Sequence, residues 1–387
     1  MEYNQAPNES EKSAAKIFLD SYMEKGKRNG MLLRKTVQET IIRPLNVFTR
    51  DMSFTMPETG LPKYFVNIGG NVQELSLHAH AFGRIIQEVD LAASTVRVMV
   101  EGQDWDRQNL EMLLNSKYKN KGFVQRGGGL PRFLNLVVGT QVRGFVGRGF
   151  KRYLKSGPLM DAFIKSCASY GAMPVDAFAT DLRVTLRCML PYVFCPRNGE
   201  YLGIGVSFSN SDFGAGSYHI DMSVMSLRNG NVMPMKTLNA NGRGEAHNGG
   251  GDGGADDSTE LSEETILKMV LAKQGEVADL VGSALQPDKV NAFLDNVADA
   301  MDHKISWYQL ERFLRGKLTK EEMEAIQKLL VRGAASSELP EVQYDADDKA
   351  IMDLWFASNV VASIASKVAD TGRKEELQTA AGKLLAS

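Results

Sequence analysis

The chain has only three cysteines in 387 residues, Cys167, Cys188 and Cys195, and no CxxC spacing. That excludes a disulfide framework and a cysteine zinc site, and fits a reducing compartment. No apolar run approaches the roughly eighteen residues of a membrane span, so no membrane partner is expected. The first residues, MEYNQAPNESEKSAAK, have neither the basic nor the apolar region of a secretory signal, and a cytoplasmic protein is the expectation. HExxH and GxSxG are absent, and GFVGRG (Gly144–Gly149) matches neither GxGxxG nor GxxxxGK[ST]. The five histidines are scattered; His78 and His80 would share a face only on a strand, and no carboxylate stands near them at ligand spacing. No metal and no cofactor are therefore expected.

The most informative absence is of acid. From Met112 to Met160, 49 residues contain no Asp or Glu but ten Lys or Arg. This stretch includes Arg126, Arg132, Arg143, Arg148, Lys151, Arg152 and Lys155, interleaved with Tyr118, Phe123, Phe133, Phe145, Phe150 and Tyr153. Cations for a phosphate backbone beside rings for stacking are what a single-stranded nucleic acid requires. Arg183 and Arg187 alternate along a strand pattern and extend the track. The alternative is a solvated basic surface that docks within the molecule. The chain offers a partner for it: residues up to Arg243 carry a net charge of +9, and those after it −11.

What is present divides the chain in three. Gly242–Ser258, GRGEAHNGGGDGGADDS, has seven glycines and no large apolar residue, which predicts a flexible linker. Residues 1–241 form a basic α+β domain and 259–387 an acidic helical one. In the first, helices are predicted over Glu11–Lys25, Ser76–Glu88, Asp106–Tyr118 and Gly157–Tyr170. Alternating runs at Leu182–Leu190, Leu202–Phe208 and Tyr218–Val224 predict strands, and Asn229-Gly230 a tight turn. The fold class is thus α+β, a mostly antiparallel sheet with flanking helices and a polar outer face, followed by a separate all-α bundle. In the bundle, Ser262 is read as a helix cap, Pro287 as a helix start and Thr319 with Glu322 as a capping box. A long helix is read over Asp347–Asp370.

Between two of the strands lies SNSDFGAGS. Asn210, Ser211, Asp212 and Ser217 suit side-chain turn bonds, and Gly214 and Gly216 suit positive φ. A row of backbone N–H groups there would hold an anion; a plain hairpin connection is the other reading.

GVSFSNSDFGAGSYHIDMSVMSLRNG resembles the signature of a phage- and plasmid-encoded family known as a domain of unknown function. The resemblance runs through Asn210, Ser211, Gly214, Ala215, Gly216, Ser217, Asn229 and Gly230, with Arg228 where the family often has cysteine. It continues through Arg143, Arg148, Tyr153 and Leu159, and through Leu354, Trp355, Asn359, Arg373, Leu377 and Gly382. It implies a mobile-element protein working in a bacterial host's cytoplasm. A helix followed by antiparallel strands beside a basic track is also similar to phage single-strand annealing recombinases, which assemble into homo-oligomers. The leading expectation is a non-enzymatic, single-stranded DNA-binding or annealing protein. The alternatives are a virion or host-interaction protein, and an enzyme whose site includes the Asn210–Ser217 loop.

Overall fold

The computed structural model of the chain describes residues 9–120, 132–147, 154–197, 199–216, 218–235, 262–333, 343–344 and 350–387; the predicted linker, 242–258, lies outside them. The first helix, α1 (Glu9–Glu39), runs well past the predicted Lys25. It is followed by β1 (Arg43–Phe48), β2 (Met52–Thr55), β3 (Lys63–Ile68), β4 (Asn71–Leu77), α2 (Ala79–Glu88), α3 (Ala93–Glu101), α4 (Asp104–Asn120), β5 (Arg132–Val138) and β6 (Gln141–Val146). The six strands form one sheet in the order β1-β5-β6-β4-β3-β2. Its pairings are antiparallel except β4 with β6. Residues Ser76 and Leu77, predicted helical, are the end of β4, because pairing with Gln141 and Val142 satisfies their backbone. His78 is the N-cap of α2, its ring accepting a hydrogen bond from the His80 N–H.

Three of the predicted stacking aromatics close the core of this sheet. Tyr118, Phe133 and Phe145 are buried, with the Phe133 and Phe145 rings 4.5 Å apart. Rings packed on one another in a core present no face to a base.

The second sheet comprises β7 (Met173–Ala179), β8 (Val184–Met189), β9 (Phe194–Arg197), β10 (Glu200–Asn210), β11 (His219–Ser226) and β12 (Val232–Met235), preceded by α5 (Ser156–Ser169). It is antiparallel, in the order β12-β11-β10-β8-β7, with β9 paired to β10. Alternation gives it two chemically different faces. Leu186, Phe208, Ile220 and their neighbours make an apolar face, met by α5 through Phe163 against Phe208 at 5.5 Å.

The opposite face carries Thr185, Arg187, Ser207, Ser209 and Ser223 and was expected to meet solvent. All five are buried. Alternation reports chemistry, not coverage, and two helices cover this face. Leu19 and Met23 of α1 pack on Met189, Met225 and Val232. The other cover comes from the far end of the chain.

After residue 261 the described chain is mainly, not wholly, helical: α6 (Glu263–Ala284), α7 (Pro287–Asp302), α8 (Trp307–Leu314), α9 (Lys320–Gly333), α10 (Leu354–Ala365) and α11 (Thr371–Leu385). A short sheet joins β13 (Lys304–Ser306), β14 (Gln343–Tyr344) and β15 (Ala350–Asp353). The predicted caps are present: Ser262 accepts from the Thr265 N–H, and Thr319 and Glu322 bond reciprocally. The long helix expected from Asp347 begins at Leu354. Asp353 caps it, and the residues just before belong to β15. These helices share one apolar core with β8, β10 and β11. α11 is the second cover of the polar face: Glu375 accepts hydrogen bonds from Thr185 (3.0 Å) and Ser209 (3.2 Å). The expected contact between the halves therefore exists. It is mostly apolar and neutral; among the described residues one ion pair crosses it, Arg197 with Asp302.

Candidate nucleic-acid interface and the loop at the sheet junction

The loop after β10 joins the two sheets. Asn210 Nδ2 donates to the Leu154 carbonyl and to Ser156 Oγ, both at 3.0 Å. Asp212 Oδ1 accepts from the Ser156 N–H at 2.7 Å and from its hydroxyl at 3.1 Å, closing the first turn of α5. Ser211 Oγ accepts from the N–H groups of Phe213 and Ala215. Phe213 is thereby driven into a small apolar cluster with Leu134, Leu136 and Val146 of the first sheet.

Gly214 and Gly216 adopt φ of +76° and +123°. At Gly216 the positive φ disfavours any side chain, and a Cβ, 2.2 Å from Arg183 Nη2, would also push that guanidinium aside. Ser217 lies outside the described residues. Each described polar side chain of this loop is thus turned to an internal partner, so its arrangement is that of a clasp.

Burial raises the Asp212 carboxyl above the usual aspartate range, and the two Ser156 bonds only partly oppose this. A raised folded pKa contributes stability below the unfolded value of about 3.9, and that contribution is lost as pH rises through the folded value. Asp212→Asn retains an acceptor for Ser156 and does not titrate. Its stability relative to wild type should therefore improve from pH 4 to pH 7. Denaturant unfolding across that range checks this, and a constant difference would contradict it.

The predicted cations fall into separate groups. Arg187 is 1% exposed, paired to Asp176 at 3.0 Å and set over Phe178. It is a buried structural residue and presents nothing to a ligand. Arg143 pairs with Asp181 at 3.4 Å and donates to its carbonyl. Arg183 donates to Ser209 Oγ (3.1 Å) and to the Ala215 carbonyl (2.8 Å). Arg143 and Arg183 line one cavity between the sheets, and Lys155 lines the smaller one beside it.

Arg132 stands apart, exposed at the opposite end of β5, roughly 20 Å away by strand length. Its guanidinium lies 4.2 Å from the Phe48 ring centroid, and that of Arg50 lies 5.2 Å from the same ring. Phe48 and Arg50 escaped the sequence reading because the β1–β5 register that brings Phe48 opposite Arg132 is long-range.

Arg126, Arg148, Lys151 and Arg152 lie outside the described residues. Leu134 of β5 pairs with Val146 of β6. The start of β5 and the end of β6 therefore lie at the same end of the sheet, where β1 brings Phe48 opposite Arg132. Among the described residues no group of acids, histidines and cysteines is arranged to hold a metal. No helix among them is long and apolar enough to cross a membrane. Compared with known protein families, curated proteins and solved structures, the chain matches none.

Proposed function

We propose that the chain binds single-stranded nucleic acid through its acid-free basic stretch and the end of the first sheet where Arg132 and Arg50 lie over Phe48. The observation that supports this reading is the antiparallel β5–β6 register, which sets the start of β5 and the end of β6 at the end of the sheet where Arg132 and Arg50 lie over Phe48. In the sequence Lys121 and Arg126 precede β5, and Arg148, Lys151 and Arg152 follow β6; at this end of the sheet Arg132 and Arg50 lie over the Phe48 ring. Phosphates would meet the cations, and bases would stack on the guanidinium planes that lie over Phe48. Arg183 and Arg187, first read as part of the track, are not part of this surface.

In the finer reading, the protein is a DNA-binding, non-enzymatic component of a phage or other mobile element in a bacterial cytoplasm, acting in annealing during recombination or replication and assembling with copies of itself. The resemblance of the Asn210–Ser217 segment supports the mobile-element origin. The internal use of the described polar groups of that loop weighs against the enzymatic alternative.

Titration of a labelled single-stranded oligonucleotide over a series of salt concentrations tests the binding. About five phosphate contacts predict that log K falls with log salt at a slope near −3.5. Phosphate contacts carry little sequence information, so oligonucleotides of different sequence should bind alike. A salt-independent affinity would overturn the reading.

A further inference from the structure

The cavity between the sheets is independent of that surface and has a chemistry of its own. Its volume is about 710 Å³, within the roughly 300–1,000 Å³ of small-molecule sites, and it lies where separately folded layers meet. Its walls come from the end of α1, β5 and β6, the β7–β8 turn, the clasp loop and the start of α11.

Three carboxylates face it, and each has an internal partner. Asp181 pairs with Arg143, Asp212 closes α5, and Asp370 caps α11 by accepting from the Arg373 N–H. Arg183 differs. It is half-buried, and its two side-chain hydrogen bonds go to neutral oxygens, using two of five guanidinium N–H groups. Among the described residues no carboxylate pairs with it. Ser209 Oγ in turn donates to Glu375, so a carboxylate reaches Arg183 only through a hydroxyl, and the planar fork of the guanidinium, with its remaining N–H groups, matches phosphate oxygens. Thr36, Thr40 and Thr180 line the walls with hydroxyls that donate to the Leu32, Thr36 and Arg183 carbonyls, and Val37, Val138 and Leu182 add apolar surface.

We propose that this cavity binds a small phosphomonoester of about mononucleotide size, with Arg183 holding the phosphate. The ligand has two possible sources, a free metabolite or one nucleotide of a bound strand. The experiment is calorimetric titration of the full chain with adenosine 5′-monophosphate, ribose 5-phosphate and inorganic phosphate, with adenosine as the phosphate-free control. At least one phosphate probe should bind saturably, and Arg183→Gln should weaken it about tenfold or more.

Arg183 also braces the clasp, so a second variant guards against misfolding. Thr36→Trp narrows the cavity from an exposed position on α1, which makes none of the hydrogen bonds of Arg183, and should weaken binding. The proposal is overturned if no phosphate probe binds saturably. It is equally overturned if folded Thr36→Trp binds the probe as wild type does. Competition by an oligonucleotide assigns the site to a strand nucleotide; its absence assigns it to a free phosphomonoester. Saturable phosphate binding with no oligonucleotide binding would leave this site standing and remove the strand-binding reading.

Discussion

Arg187→Ala should lower the unfolding free energy by about 3–5 kcal/mol, the usual cost of removing one partner of a buried ion pair. The side chain is 1% exposed, its Nη1 pairs with Asp176, and the Phe178 ring lies 5.4 Å from its guanidinium carbon. Truncation leaves Asp176 without its cation and opens a cavity between β8 and the helices over it. Arg187 has no route to a ligand, so the protein that remains folded should bind nucleic acid with unchanged affinity and salt slope. Urea unfolding and a binding titration on the same sample separate the two effects. A stable variant with weakened binding would mean that Arg187 reaches the surface.

Gly382→Ala should cost about 3 kcal/mol, the upper part of the usual overpacking range. A Cβ there would stand 1.8 Å from the Pro234 carbonyl oxygen, which is backbone of β12 and has no rotamer through which to yield. α11 would have to lift from the sheet edge, exposing Leu377, Ala381 and Leu384 and drawing Glu375 away from Thr185 and Ser209. Gly275 in α6 is the control: nothing lies within 4 Å of its hypothetical Cβ. Gly275→Ala should stabilise by about 0.5–1 kcal/mol, since alanine loses less backbone entropy in a helix. Equal effects at the two positions would contradict the close approach of α11 to β12.

These two positions mark the limit of what local pattern shows. The Ser262 and Thr319–Glu322 caps were legible because the groups that satisfy a helix end lie within four residues of it. The strand at Val184–Met189 was legible from its alternation, and Asn229-Gly230 from its turn chemistry. The burial of Arg187 was not. Its polar neighbours on the same face look like solvent-facing residues until helices from either end of the chain are laid over them. The clasp was half legible: Asn210, Ser211 and Asp212 were read as turn-forming residues. The partners of Asn210 and Asp212, Leu154 and Ser156, stand more than fifty residues earlier. The acid-free span was read as one continuous track. β5 and β6 divide it, leaving Arg143 at the cavity and Arg132 at the opposite end.

The central claim is that the basic segments flanking β5 and β6 contact phosphate. Replacing Arg126, Arg148, Lys151 and Arg152 together by alanine, and repeating the single-strand salt titration, tests it most directly. The account predicts that the dependence of log K on log salt flattens by about 0.7 for each phosphate that is no longer neutralised, with thermal stability unchanged. An unchanged slope in a folded variant would contradict it.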